Sequence, residues 1–301
     1  MNNQESAFTE TSSTIQFFPP GRNLHRNNFM KLDDAEIYYE VKGDGPPIIF
    51  IHGLGGNHLS WWQQIPHFVD RYKCINFSHR GFSLSTNHSN KIGHEVFADD
   101  LSQLIEMLNL KDVYIVAQSM GGWTALTYFL KNVSNVKAVV MASTSGTIDF
   151  KKINHPQIEK LGEWEKWSGE EMKRLKNAEV LNAIGFEMAK TQPALSLNYE
   201  QIYNLTPYSY KETIRTDIKS NRIQSPDVLN EVDTPFLFIT GENDVSFPAI
   251  GGEAMASVMK NAKWINFKNT GHSVYFERAD EFNKSVDEFI SIISNISVKK
   301  D

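Results

Sequence analysis

One cysteine, Cys74, stands in 301 residues, so the chain can form neither an intramolecular disulfide framework nor a thiolate metal cluster. It lies in the strand-like run Tyr72-Lys73-Cys74-Ile75-Asn76-Phe77, where a small buried apolar residue is expected. No apolar stretch reaches the roughly 18 to 20 residues that a membrane-spanning helix needs. Positive charge is not in excess: 30 Lys and Arg face 36 Asp and Glu, for a net charge of −6. Short basic pairs such as Lys151-Lys152 and Lys299-Lys300 read as solvated surface, so no footprint for nucleic acid is present. Metal-ligand spacing is missing too, because His94-Glu95 has no second histidine four residues on. Neither GxxxxGK[ST] nor GxGxxG occurs, which removes the usual phosphate-cradling loops.

The N-terminal residues 1–27 are polar and carry Glu5 and Glu10 among Ser, Thr and Asn, ending near Pro19-Pro20-Gly21. They lack the basic start and apolar core of a secretory signal, so a flexible tail and a cytoplasmic location are expected. With 41% hydrophobic and 22% charged residues, the remainder has the composition of a globular protein with a substantial core.

Ala35 to Val41 reads as a strand, closed by the turn signal Gly43-Asp44-Gly45-Pro46-Pro47. Unbroken apolar runs follow at Ile48–Ile51, Ile75–Phe77, Val113–Ala117, Ala138–Met141 and Phe236–Ile239, and a weaker one at Trp264–Phe267. Runs without alternation suit parallel strands buried on both faces. Between them, Phe97, Leu101, Leu104, Ile105 and Leu108 recur at helical spacing, as do Phe282, Val286, Phe289, Ile290 and Ile293 near the C-terminus. The alternation predicts an α/β protein: a mostly parallel central sheet with helices on both faces. Residues 148–232 break the pattern. They hold helix-like pieces and no convincing strand, and are too long for a loop. The expected organisation is a core of 28–147 and 233–301 with a helical cap at 148–232, over the carboxyl edge where open α/β sheets place their sites.

The sharpest chemical signal is Val116-Ala117-Gln118-Ser119-Met120-Gly121-Gly122. A buried strand runs directly into Ser119 and a helical pattern begins after it. So tight a turn needs small neighbours, which Gly121 and Ala117 supply, and it holds the hydroxyl above the sheet at a helix N-terminus. A serine capping an ordinary helix is the competing interpretation. A serine nucleophile needs a base and an orienting acid. His272, in Asn269-Thr270-Gly271-His272-Ser273, follows the last strand, and Asp244, in Thr240-Gly241-Glu242-Asn243-Asp244-Val245, follows the strand before it. Both leave the same sheet edge as Ser119. Asp149 is the alternative acid, and Glu242 is expected to be structural. The loop Ile51-His52-Gly53-Leu54-Gly55-Gly56 offers the Leu54 N–H which, with that of Met120, can receive an oxyanion; one such donor is typically worth about 3 to 4 kcal/mol. His52 is expected to brace that loop rather than act as a base.

With these residues in view the chain resembles the α/β-hydrolase superfamily from about Asp33 onward. The likeness rests on His52-Gly53-Leu54-Gly55, Trp61-Trp62, His79-Arg80-Gly81-Phe82-Ser83, the turn at Ser119, Gly241-Glu242-Asn243-Asp244 and Gly271-His272. It departs where Ser78 stands for the usual Asp and Ala117 for the commoner Gly. The resemblance implies the α/β-hydrolase fold with a helical cap. Ser119 would be the nucleophile, His272 the base, Asp244 the acid, and Leu54 and Met120 the oxyanion donors. It implies a serine hydrolase of small, largely apolar esters or lactones, acting on a small molecule without cofactor or metal. Two alternatives are a carbon–carbon bond hydrolase of vinylogous diketones, for which a cap arginine among Arg174, Arg215 and Arg222 would face the site, and a small-molecule receptor on the same fold. Trp62, Trp123, Trp164, Trp167, Phe186, Val245 and Val274, with Tyr275, are the candidates to line an apolar substrate pocket.

Overall fold

The computed structural model describes residues 28–298, with the side chains of Lys219 and of the last four described residues left aside. The expected N-terminal tail therefore lies outside the described residues. Eight strands form one sheet in the order β1-β2-β4-β3-β5-β6-β7-β8. They are β1 (Phe29–Lys31), β2 (Glu36–Lys42), β3 (Pro47–Ile51), β4 (Lys73–Phe77), β5 (Val113–Gln118), β6 (Val136–Ala142), β7 (Phe236–Gly241) and β8 (Ala262–Phe267). From β4 onward through β3, β5, β6, β7 and β8 every pairing is parallel. Only β1 and β2 run antiparallel to their neighbours. β1 was not expected from the sequence, because three residues are too few to carry a periodic pattern.

Successive strand residues point to opposite faces, and the apolar runs divide accordingly. Ile49 and Ile51 of β3, Ile115 and Ala117 of β5, and Phe236 and Phe238 of β7 enter one core cluster. Ile48 and Phe50, Tyr114 and Val116, and Leu237 and Ile239 enter the other. The first face is covered by α2 (His94–Met107), α3 (Met120–Lys131) and α8 (Ala249–Ser257), the second by α1 (Ile65–Phe68) and α10 (Ala279–Val298). The periodic apolar residues of α10, Phe282, Val286, Phe289, Ile290 and Ile293, are all buried. Cys74 is buried on β4, and burial pushes its thiol up to about 12.

Between β6 and β7 the chain makes α4 (Leu161–Asn177), α5 (Phe186–Thr191), α6 (Pro193–Asn204) and α7 (Tyr208–Ser220). Its one strand-like contact with itself is an isolated bridge between Ile148 and Gln224. A short α9 (Val274–Glu277) precedes α10.

Candidate active site

Every residue of β5 is buried, so the chain reaches Ser119 with no freedom to drift. Ser119 then takes φ 49° and ψ −118°, a sparsely populated state for a residue with a side chain. α3 starts at the next residue. Close packing enforces the turn: a Cβ on Gly121 would stand 2.3 Å from the Ile51 carbonyl, and one on Gly53 would stand 2.0 Å from Gln118 Oε1. The β3 loop is thereby pressed against the β5 turn. Ser119 makes no side-chain capping bond to α3, which decides against the helix-cap interpretation.

Its hydroxyl turns instead to His272. The Ser119 Oγ lies 2.8 Å from His272 Nε2, and His272 Nδ1 lies 2.8 Å from Asp244 Oδ2. The carboxylate can only accept, so Nδ1 carries the ring proton and Nε2 is left to receive one from the hydroxyl. Asp244 is held in turn by the N–H groups of Ser246 and Phe247, which donate to its Oδ1 at 2.7 and 3.0 Å. The other acids stand elsewhere. Asp149 pairs with Lys152 at 3.6 Å, while Glu242 accepts from Lys268 at 2.6 Å and from the Asn269 N–H at 3.1 Å.

Met120 is the first residue of α3, so its N–H has no partner within the helix. Leu54 packs on the small apolar cluster that contains Met120, Phe82, Phe97 and Ile214. His52 braces this loop as expected. Its Nδ1 lies 2.7 Å from the Gly53 carbonyl, and its Nε2 accepts from the His79 N–H at 3.0 Å and lies 2.9 Å from His79 Nδ1. His79 Nε2 meets Thr124 Oγ1 of α3 at 3.0 Å. With both rings neutral, His52 Nδ1–H donates to the Gly53 carbonyl, His79 Nδ1–H to His52 Nε2 and the Thr124 hydroxyl to His79 Nε2, while the His79 N–H shares the single lone pair of His52 Nε2. Full burial pushes His52 down to about 3 and carries His79 well below its usual value. His58 is buried as well, with Nδ1 and its N–H on the Ser78 hydroxyl at 3.0 Å. Ser78 fills the position of the Asp that the resemblance leads one to expect.

Three loops of the site are each tied to the helical insertion by a polar contact. Trp164 Nε1 of α4 donates to the Asp244 carbonyl at 3.1 Å, Tyr199 Oη of α6 lies 3.0 Å from Ser273 Oγ, and Asn57 Nδ2 donates to the Ile202 carbonyl at 3.0 Å. Gln118 Nε2 further holds the His272 carbonyl at 3.2 Å. Tyr199, Asn57 and Gln118 were not singled out from the sequence, since nothing in their local pattern marks them.

The expected pocket residues scatter. Trp123, one helical turn beyond Ser119, is buried under the Arg222 guanidinium at 5.4 Å. Val245 is buried beside Asp244, and Val274 belongs to the second core cluster. Trp167 is partly buried on α4. Trp62 is 46% exposed, with its ring edge-on to Phe276, and Phe186 lies under Arg174 in an open surface groove with Lys173 and Ala178. Trp62 was expected to line a pocket; apolar character alone does not tell an inner ring from one lying on the outer surface. Among the described residues no three His, Cys, Asp or Glu side chains are grouped to hold a metal, and no helix is long and apolar enough to cross a membrane.

A family model for the alpha/beta hydrolase fold matches residues 46–279. The chain belongs to that family. One relative, the 2-hydroxy-6-oxononadienedioate/2-hydroxy-6-oxononatrienedioate hydrolase 2 of Pseudomonas putida, is 24% identical over 85% of this chain and 92% of its own length. Among solved structures, Est816, described as an N-acyl homoserine lactone degrading enzyme, superposes with a TM-score of 0.71 at 20% identity, covering 87% of this chain and all of that one. A thermophilic esterase from Thermogutta terrifontis gives 0.70 at 19% identity, over 88% and 99% of the two chains. At such identities the two structures establish the alpha/beta hydrolase fold alone.

Proposed function

We propose that the protein is a serine hydrolase that cleaves a small, largely apolar carboxylic ester or lactone through an acyl-enzyme on Ser119. The observation that carries this reading is the pair of 2.8 Å contacts linking Ser119 Oγ, His272 and Asp244. In the reaction Ser119 Oγ attacks the carbonyl carbon as its proton passes to His272 Nε2. The carbonyl oxygen becomes an oxyanion, received by the N–H groups of Leu54 and Met120. Collapse breaks the bond to the leaving alkoxide, which takes the proton from His272. Water, deprotonated by the same nitrogen, then cleaves the acyl-enzyme and restores the hydroxyl. Asp244 keeps the ring in the required tautomer and stabilises its charged form. Ester and lactone chemistry among the structural neighbours is compatible with this assignment. Ser119→Ala, assayed with p-nitrophenyl esters of graded chain length, is expected to lose at least about 10³-fold in kcat. Retained turnover would refute the nucleophile.

A carbon–carbon bond hydrolase is the second reading, and one observation favours it. Of the three cap arginines, Arg174 pairs with Glu171 and Arg215 with Glu212. Arg222 has no acid within ion-pair distance among the described residues, its Nε is buried without a hydrogen-bond partner, and its guanidinium lies over Trp123. Such a cation suits a substrate carboxylate, and the Pseudomonas putida relative is named for a dioate. Turnover of a vinylogous diketone without ester turnover would reverse the order of the two readings.

A further inference from the structure

A second buried carboxylate stands behind the imidazole, and the acyl-enzyme chemistry does not use it. Glu277 closes α9 and is 5% exposed. Its Oε2 accepts the Gly271 N–H at 2.8 Å and its Oε1 the Ser273 N–H at 3.2 Å. Those two peptides bracket His272, so one carboxylate fixes the backbone on both sides of the catalytic ring. The Gly185 N–H at the start of α5 also turns toward it. The titratable groups that face it are Asp244 from the loop after β7, Tyr199 from α6 and Tyr275 from its own helix. None is a cation. Peptide N–H groups answer its charge and no ion pair to it is formed among the described residues, while His272, between the two peptides, becomes a cation in the reaction; burial drives the Glu277 carboxyl up to about 7.

We propose that Glu277 is a positioning residue for the hydrolytic reaction: ionised, it grips the Gly271 and Ser273 peptides and so keeps His272 Nε2 at the Ser119 hydroxyl. Protonation turns one acceptor oxygen into a donor facing an N–H, and the loop is released on that side. This inference rests on the hydrolytic reading above. Activity then depends on the ionisation of Glu277 as well as on the triad, and rises as pH increases through it.

The isosteric Glu277→Gln imitates the protonated state, since its amide presents a donor to one of the two peptides. In the full-length protein, kcat for p-nitrophenyl butyrate should fall about 10- to 100-fold with KM within about twofold, the mark of a misplaced group rather than lost binding. The acid limb of the kcat–pH profile should change from two ionisations to one. An independent readout is the NMR signal of the His272 ring. In the wild type it should move with two midpoints as pH is raised, and in Glu277→Gln with one, its Nδ1 proton shifted at every pH. A wild-type ring titration with a single midpoint, or a folded Gln variant with wild-type kcat and an unchanged profile, overturns the proposal. Wild-type protein that hydrolyses no ester refutes the hydrolytic reading, and the ring spectra still decide the role of Glu277.

Discussion

At the scale of the residue, the site turns on the strained backbone of Ser119. A side-chain-bearing residue at φ 49° and ψ −118° costs of order 1–3 kcal/mol, borne by the surrounding structure. The buried β5 strand before it and α3 after it leave the chain no relaxed alternative. Glycine occupies this region freely, so Ser119→Gly is predicted to raise the unfolding free energy by roughly 1 kcal/mol. Chemical denaturation measures that gain, and ester turnover by the same variant should be absent. A loss of stability instead would mean that the serine contributes more by its bond to His272 than its backbone costs.

At the scale of the element, the loops leaving β3 and β4 are locked by buried neutral histidines. His52 is held near 3 and His79 well below its usual value because burial disfavours their charged forms. The unfolded chain takes up protons below about 6.5 while the folded one does not. Their contribution is therefore complete above that pH and is lost as pH falls toward 3, with a slope of up to about 1.4 kcal/mol per pH unit for each histidine. Glu277 runs the other way. Its folded value, raised from 4.5 to about 7, means that its protonated form favours the fold below 4.5 and that this contribution fades as pH rises through 7. Urea unfolding between pH 7 and 5 should show stability falling on acidification, and falling more steeply in Glu277→Gln, where the opposing group is gone. Stability that is flat or rises on acidification in that variant would contradict the assignment of neutral buried histidines.

At the scale of the whole molecule, three side chains far apart in sequence meet because parallel strands deliver their loops to one edge. The chain ends of β5, β7 and β8 carry Ser119, Asp244 and the His272 loop, and these strands are linked through β6 by parallel pairings, with one register shift at Val113/Tyr114 far from the site edge. That much was legible in the sequence, since unbroken apolar runs mark buried strands and residues just beyond them must lie at the rim. The antiparallel β1 was not, being too short to show a period. Gln118, Tyr199 and Glu277 were not either, because each acts on a partner remote in the chain and nothing local distinguishes it from an ordinary polar residue. The scatter of the expected pocket residues has the same origin. Val274 and Trp62 differ little in apolar character, yet one is core and the other half exposed. Which side of an element faces the site is set by tertiary packing.

In the proposed reaction the Ser119 hydroxyl is the group activated by His272. The measurement that tests it most directly is reaction of the intact protein with a fluorophosphonate probe, followed by mass spectrometry of its peptides. A single adduct on Ser119, abolished in Ser119→Ala and strongly slowed in His272→Ala, is the predicted result. An unmodified Ser119, or an adduct on another residue, would contradict the account.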